Sequence, residues 1–325
     1  MSETNVAVFL ESPVAAFRPA DPSFARFAAA LRPLGASASL ARSEEAFLHL
    51  LPAATHALVW TFRQEWFSLA PRLRAVCTPA AGRDYFSVVP PPGVSLSYGS
   101  FHGAILGETA AAAVLSLSHC ILQGASLMKN PPAGGHAAEV WPRPFYDARA
   151  RRLAGSTVSI VGFGAIGRAA GRFLKPFGPR VLGVSRSAHP APEWFGPGDE
   201  SLGADALDRA VAAADFILAF LPSGAGTDGV FDARRLALAK PSAYFLDYGR
   251  GNCVDEAALA AALREGRLAG AVLDVFREEP LPAESPLRGA PNCWLYPHSS
   301  AFSPDYLDLF FDEFVDRLRG AEGAR

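Results

Sequence analysis

The sequence predicts an α/β fold of two domains, each built on a doubly wound parallel sheet with helices on its faces. Three observations support this prediction. The chain has 325 residues, a length typical of two domains. Short apolar runs alternate with helical patterns in both halves of the chain, as in parallel sheets whose strands are joined by helices. Near the middle of the chain, a glycine-rich turn joins an apolar run to a helical run.

The first hundred residues contain the predicted elements of one sheet. Strands are predicted at "VAVFL", "HALVW" and "LRAVCTP", with a helix at "SFARFAAALRPLG" that ends before Pro33 and a second helical pattern between the last two strands. The proline-rich stretch "VVPPPGVSLSYGS" is interpreted as a connection. From Gly103 to about Met128 the pattern predicts one long helix, and the breakers in "KNPPAGGHAAEVWPRPFYDARA" predict an extended surface segment.

A second α/β series runs from Thr157 to about Pro297. Its predicted strands are "TVSIVGF", "RVLGVS", "DFILAFL", "AYFLDYG", "GAVLDVF" and "CWLYP". The last predicted helix, Asp305 to Arg319, carries apolar residues at helical spacing, and we expect it to pack on the first domain. The expected domains are therefore residues 1–100 with 300–325, and residues 101–299.

Composition excludes several classes of protein. Half of the residues are hydrophobic and 19% are charged, which suffices for sizeable cores and is not typical of a disordered chain. The net charge of −2 argues against nucleic acid or an anionic membrane as a partner. The cysteines form no CxxC pair that would indicate a metal site. The N-terminus lacks the basic region of a signal peptide, so we expect a cytoplasmic protein that binds no membrane.

The glycine-rich turn has the spacing Gly162-x-Gly164-x-x-Gly167. In a dinucleotide-binding turn the first glycine permits the tight bend, the second admits the pyrophosphate, and the third lets helix and strand pack closely. The backbone N–H groups of Ala165 and Ile166 would face the phosphates at the positive end of the helix. The alternative is a tight strand–helix turn that binds no ligand.

The end of the next predicted strand indicates which dinucleotide is bound. An acidic residue is expected there for NAD, because it binds the ribose hydroxyls. The chain instead has Ser185, Arg186 and Ser187. An arginine can bind a 2′-phosphate through charge-assisted hydrogen bonds, so the sequence favours NADP(H) over NAD(H). Alternatively, Arg186 is a solvated surface residue and NAD binds through other contacts.

Downstream, the elements "GRGNCVDEAAL", "GAVLDVFREEPLP", "SPL" and "PH" follow one another. With the glycine turn, this order resembles the D-isomer-specific 2-hydroxyacid dehydrogenases, which include glyoxylate/hydroxypyruvate reductases; the resemblance spans roughly Leu73 to Asp308. It implies two Rossmann-like domains with the active site in the cleft between them, and a homodimer formed through the cofactor domain. It also implies a catalytic trio of Arg250, Glu279 and His298. Arginine holds a keto acid's carboxylate, histidine exchanges the proton, and the glutamate orients the histidine.

The resemblance implies further binding residues. The loop "TPAAGRDYF" would bind the substrate carboxylate through the backbone amides of Ala81 and Gly82. Residues expected along the cofactor are Leu221, Pro222, Thr227, Tyr248, Gly249 and Asp274.

The sequence departs from the family pattern at Asp247, Tyr248 and Tyr296, and the two tyrosines are candidates to line or narrow the site. The expected reaction is NAD(P)H-dependent reduction of a small 2-keto acid such as glyoxylate, hydroxypyruvate or pyruvate. The alternative is a dinucleotide-sensing protein of the corepressor kind, without physiological turnover.

Overall fold

The computed structural model describes residues 4–129, 146 and 149–323. The chain divides into two compact units, Met1–His102 with Phe302–Arg325, and Gly103–Ala301. Each unit contains one parallel sheet flanked by helices, so the predicted α/β fold class is confirmed.

The first unit is built on a five-stranded parallel sheet in the order β2-β1-β3-β4-β5. Its strands are β1 Thr4–Phe9, β2 Ala36–Leu40, β3 His56–Val59, β4 Ala75–Thr78 and β5 Ser95–Tyr98. Its first two α-helices are α1 Asp21–Leu31 and α2 Glu44–Leu50, and the residues between β3 and β4 form a 3₁₀-helix, Gln64–Leu69. The strand order reverses between β1 and β3, which defines the switch point of this sheet.

The second unit contains a seven-stranded parallel sheet in the order β12-β11-β10-β9-β6-β7-β8. Its strands are β6 Thr157–Val161, β7 Arg180–Val184, β8 Glu200–Leu202, β9 Phe216–Ala219, β10 Tyr244–Asp247, β11 Gly270–Leu273 and β12 Cys293–Leu295. Its α-helices are α3 Gly103–Ser118, α4 Ile121–Lys129, α5 Ala165–Leu174, α6 Leu207–Ala213, α7 Ala233–Leu236 and α8 Glu256–Arg264. Here the switch point lies between β6 and β9.

The central strands of this sheet are apolar on both faces. Ile217 and Phe245 point into one hydrophobic core, while their neighbours Leu218 and Leu246 point into the core on the opposite face. All four side chains are fully buried. Burial on both faces explains why these strands appear in the sequence as continuous apolar runs.

The prediction of one long helix from Gly103 to Met128 is wrong, because the helix breaks after Ser118. Cys120 adopts the left-handed conformation, with φ of 56°, and its side chain is fully buried. Its N–H donates to Leu117 O, closing a tight turn before α4 begins. Most of the stretch predicted as extended, Lys129 to Ala150, lies outside the described residues.

The last helix, α9, spans Tyr306–Gly323 and belongs to the first unit. Phe311 on α9 stacks on Phe27 of α1, with ring centroids 4.3 Å apart and an interplanar angle of 15°. In the described part of the chain, no helix combines the length and apolarity needed to cross a membrane. Within the same residues, no group of three or more His, Cys, Asp or Glu side chains is placed to hold a metal ion.

Candidate active site at the carboxyl ends of the strands

The glycine turn lies at the switch point of the second unit, directly after β6. Gly162 has φ of +93°, a conformation that other residues adopt only under strain. A Cβ atom on Gly162 would lie 2.5 Å from Phe220 O, at the end of β9. Glycine is therefore required here both by the backbone conformation and by the neighbouring strand.

The two other glycines of the turn have different surroundings. A Cβ on Gly167 would lie 2.5 Å from Gly162 O, so α5 packs too closely on β6 for a side chain. Gly164 is the N-cap of α5, and a Cβ built there meets no atom of the described residues within 4 Å. Folding thus requires the first and third glycines, whereas the second leaves open space beside the exposed N-terminus of α5, where Ala165 and Ile166 lie.

The segment after β7 contains the residues that are predicted to determine whether the protein prefers NADP(H) or NAD(H). Ser185 is half-buried, and its Oγ atom is buried with no hydrogen-bond partner among the described residues. Arg186 and Ser187 are exposed. A buried hydroxyl without a partner is costly unless a ligand satisfies it.

The segment after β9 lies against the segment after β10. A Cβ on Gly249 would lie 2.4 Å from Leu221 O, so the two backbones are in close contact. Thr227 Oγ1 donates to Pro222 O at 2.6 Å, which ties the end of this exposed loop to its start. The structure therefore brings together the glycine turn, the Leu221–Pro222 segment and Gly249, which lie far apart in the sequence.

His298 and Glu279 are joined by a hydrogen bond, with Nδ1 of the histidine 2.8 Å from Oε2 of the glutamate. Oε1 of Glu279 accepts a hydrogen bond from Phe276 N at 2.9 Å, which fixes the carboxylate. The two side chains are 49% and 36% exposed, respectively. Glu279 thus orients the imidazole, and Nε2 makes no hydrogen bond to any described residue.

Asp274 holds the backbone around His298. His298 N donates to Asp274 O at 2.9 Å. The carboxylate of Asp274 is buried, and its two oxygens accept hydrogen bonds from Ser299 N at 2.7 Å and Ser300 N at 2.9 Å. The sequence indicated Asp274 only as a residue near the cofactor and did not reveal this positioning contact.

Arg250 follows β10 and is half-buried between two glycines. Its Nη1 atom donates to Gly249 O at 3.1 Å. A Cβ on Gly251 would lie 2.3 Å from Phe276 Cα, so the Arg250 loop packs directly against the segment that holds Glu279. The loop has no room to move toward that segment.

Asp247 is fully buried at the base of the Arg250 loop. Its Oδ1 accepts from Gly249 N at 2.9 Å, and its Oδ2 accepts from Cys253 Sγ at 3.1 Å, so it holds the loop on both sides of Arg250. Burial raises the pKa of Asp247 to about 7. Nothing in the sequence indicated that Cys253 would take part in this cluster.

The two tyrosines have different surroundings. Tyr248 is buried and stacks on Phe220 with ring centroids 5.9 Å apart, so its side chain belongs to the core. Burial also raises the pKa of Tyr248. Tyr296 is 40% exposed and lines a cavity of about 540 Å³ together with His298 and Glu279. Of the two, only Tyr296 is among the residues that line this cavity.

The predicted carboxylate-binding loop belongs to the first unit and follows β4. Ala81 is exposed and Gly82 is half-buried. Gly82 O accepts from Tyr85 N at 3.2 Å, and Gly99 N donates to Ala80 O at 3.0 Å, which anchors the loop at both ends.

Comparison with known proteins shows the family. Residues 134–300 match the family described as D-isomer specific 2-hydroxyacid dehydrogenase, NAD binding domain. The chain is 36% identical over 260 residues to glyoxylate/hydroxypyruvate reductase B of Citrobacter koseri, covering 77% of this chain and 76% of that protein.

Two solved structures are similar over almost the whole chain. The NADPH complex of a D-isomer specific 2-hydroxyacid dehydrogenase from Xanthobacter autotrophicus has a TM-score of 0.74 and 25% identity, covering 98% of this chain and 96% of that one. The NADP complex of an NADPH-dependent glyoxylate/hydroxypyruvate reductase from Sinorhizobium meliloti has a TM-score of 0.72 and 26% identity, with the same coverage of both chains. The sequence match and the shared fold agree, and this chain belongs to the D-isomer specific 2-hydroxyacid dehydrogenase family.

Proposed function

We propose that this protein reduces a small 2-keto acid to the corresponding D-2-hydroxy acid with NAD(P)H as the reductant. The observation that carries the proposal is the 2.8 Å pair between His298 Nδ1 and Glu279 Oε2, in which the imidazole is already oriented. The name of the Citrobacter relative, a glyoxylate/hydroxypyruvate reductase, supports this reaction class.

In this proposal His298 supplies the proton. Its Nε2 donates to the substrate's carbonyl oxygen, while the carboxylate of Glu279 stabilises the imidazolium before transfer. Arg250 holds the substrate carboxylate and polarises the carbonyl through its planar guanidinium. The backbone amides of Ala81 and Gly82 are proposed as further donors to that carboxylate.

The residues around the glycine turn fit a dinucleotide. Gly164 leaves open space at the N-terminus of α5, where backbone N–H groups attract phosphate. The buried Oγ of Ser185 has no hydrogen-bond partner among the described residues, so a bound ligand could supply one. Ser185, Arg186 and Ser187 would together bind a 2′-phosphate, so we propose a preference for NADP(H). When bound, this cofactor supplies the hydride that reduces the keto carbon.

A turnover assay tests the reaction. NADPH oxidation is followed with glyoxylate, hydroxypyruvate and pyruvate for wild type, His298→Asn and the control His119→Asn, which changes an exposed histidine in the same unit. We expect His298→Asn to lose at least 100-fold in kcat, consistent with the usual contribution of a general acid, and the control to keep its activity. Absence of turnover by the wild type, or an active His298→Asn, would contradict the proposal.

The cofactor preference has its own test. We expect kcat/KM for NADPH to exceed that for NADH by more than tenfold, or about 1.4 kcal/mol. Arg186→Asp should lower kcat/KM for NADPH far more than for NADH, since an acid repels the 2′-phosphate. Arg172→Asp, at an exposed arginine of the same unit, is the matched charge reversal. Equal use of both cofactors by the wild type would refute the preference.

A further inference from the structure

The cavity beside the catalytic pair is large for a two-carbon keto acid. It has a volume of about 540 Å³ and is lined in part by His298 and Glu279. Pockets for small molecules commonly measure roughly 300–1,000 Å³, so the size suits a substrate with a side chain of several carbons. A substrate as small as glyoxylate would leave most of this space to water.

The walls of the cavity are mainly apolar. Phe276, Leu281, Leu295 and Tyr296 contribute aromatic and aliphatic surface. Leu281 and Leu295 also pack against the hydrophobic core of the second unit, so the walls are supported from behind. A supported apolar wall can bind an alkyl or aryl group without rearranging.

The charged groups of the cavity are already engaged. Glu279 binds His298 and Phe276 N. Arg288 donates through Nε to Pro282 O at 2.8 Å and through Nη2 to Leu281 O at 2.6 Å. These contacts hold the guanidinium against the loop that forms the cavity wall. Backbone carbonyls thus occupy two of the three guanidinium nitrogens of Arg288, and the lining beyond the charged groups is mainly apolar.

We propose that this cavity receives the substrate's side chain, so that the preferred substrates are 2-keto acids with an apolar side chain of three or more carbons. The inference rests on the proposed function, because it requires the keto group to meet His298. His298 itself lines the cavity, so a chain that extends from a carbonyl bound there has apolar surface within reach. Each buried methylene contributes a factor on the order of four to binding.

A substrate series tests the inference in the wild-type enzyme. With saturating NADPH, kcat/KM is measured for pyruvate, 2-oxobutyrate and 2-oxopentanoate, whose side chains differ by one methylene at a time. We expect a rise on the order of fourfold per step. A second comparison matches chain length and changes charge: 2-oxopentanoate should be reduced at least tenfold more efficiently than 2-oxoglutarate. A preference for 2-oxoglutarate would overturn the apolar assignment and indicate an anion site at Arg288.

A cavity-filling variant locates the binding of the side chain. Leu281→Trp should lower the ratio of kcat/KM for 2-oxopentanoate to that for pyruvate by more than tenfold, because the indole occupies the space for the longer chain. Leu238→Trp is the matched control, since Leu238 is an exposed leucine elsewhere in the same unit, and its ratio should equal that of the wild type.

The outcomes separate the inference from the proposed function. A wild type that reduces pyruvate but gains nothing from longer chains refutes the inference and leaves the proposed function in place. A wild type that reduces no 2-keto acid refutes the proposed function. If Leu281→Trp leaves the substrate ratio unchanged but alters the molar mass measured by light scattering, the cavity receives a second copy of the chain, and the inference is wrong.

Discussion

His298 has a backbone conformation that residues other than glycine rarely adopt. Its φ is 52°, in the left-handed region that few non-glycine residues use. Asp274 holds it there through its carbonyl oxygen, which accepts from His298 N, and through its carboxylate, which accepts from the next two amides. The family resemblance implied His298 and Glu279 as a pair. The role of Asp274 was not predictable, because it depends on contacts between residues that are 25 and 26 positions apart in the chain.

Replacing Glu279 by glutamine tests the charge of the pair at this residue scale. The amide keeps the size of the side chain and one hydrogen bond, but it no longer stabilises an imidazolium. Because reduction needs the protonated imidazole, we expect the kcat/KM profile for keto-acid reduction to move to lower pH. Hydroxy-acid oxidation, which needs the neutral ring, should become easier at low pH. A profile that stays in place or moves upward would show that the two residues are not coupled through charge.

We expect the free energy of unfolding of Asp247→Asn, relative to that of the wild type, to be higher at pH 8 than at pH 5. Burial is the largest cause that raises the pKa of Asp247 to about 7, and Asp274 raises it further, whereas Gly249 N, Cys253 and Arg250 lower it. A carboxyl whose pKa is raised on folding contributes stability that is full below about pH 4 and is lost as pH rises through 7. Asparagine avoids this loss, so its advantage should grow by on the order of 1–3 kcal/mol between the two pH values.

Urea unfolding at pH 5 and pH 8 measures this difference. Asp316→Asn, at an exposed position on α9, is the control for removing one carboxyl group. If the stability difference between Asp247→Asn and wild type is the same at both pH values, Asp247 does not change protonation on folding as expected.

At the scale of elements, the glycine turn allows a comparison of two alanine substitutions. Gly167→Ala places a methyl group 2.5 Å from Gly162 O, so α5 must shift and the melting temperature should fall by several degrees. Gly164→Ala meets no atom of the described residues within 4 Å, so it should lower the melting temperature less, through the weaker N-cap alone. It should nevertheless weaken NADPH binding tenfold or more, because the methyl group would occupy the space that we propose for the pyrophosphate. Calorimetry and a dinucleotide titration measure the two effects, and normal NADPH affinity in Gly164→Ala would argue against this binding site.

The strands that sequence reasoning missed share one position in the fold. The strands β2, β5 and β8 were not predicted, and all three lie at the edges of their sheets. Most of their residues are not buried: β2 and β8 have one buried residue each, and β5 has none. An edge strand has one neighbour and gains less from apolar side chains, so "SLSY" lacks the apolar pattern by which the central strands were identified. The stretch interpreted as a connection therefore contains β5.

The break between α3 and α4 was missed for a different reason. The sequence there contains no glycine or proline, and its composition favours one helix. The structure places a left-handed residue at Cys120, whose side chain is then fully buried. Such a break is determined by tertiary packing, which local helix propensity cannot indicate.

At the scale of the whole molecule, strand order alone does not indicate which of the two units binds the dinucleotide. Both sheets are parallel and both have a switch point, where α/β proteins commonly bind ligands. At the switch point of the second unit the chain after β6 carries the three glycines, whereas in the first unit the chain after β1 continues as Leu10, Glu11 and Ser12. The proposed dinucleotide site thus rests on a local motif, whereas the cavity beside His298 was not predictable, because its walls come from separate segments of the chain.

The protein as a whole should lose stability on mild acidification through one histidine of the first unit. Burial, with a smaller contribution from Arg74, lowers the pKa of His56 to about 4. Its Nδ1 lies 3.0 Å from Thr55 Oγ1, and its ring packs edge-on against Phe314. The unfolded chain binds a proton here below about pH 6.5, whereas the folded chain does so only near pH 4. The neutral His56 ring therefore makes its full contribution to the free energy of unfolding above pH 6.5, and this contribution decreases as the pH falls below 6.5. At pH 5 the loss is about 2 kcal/mol at most.

Unfolding by urea at pH 7.5 and pH 5 measures this dependence. His56→Gln removes the titrating group, so its stability should fall less between the two pH values than that of the wild type. His49→Gln, at an exposed position of the same unit, is the matched control and should keep the wild-type dependence. Equal losses in all three proteins would place the acid sensitivity elsewhere in the chain.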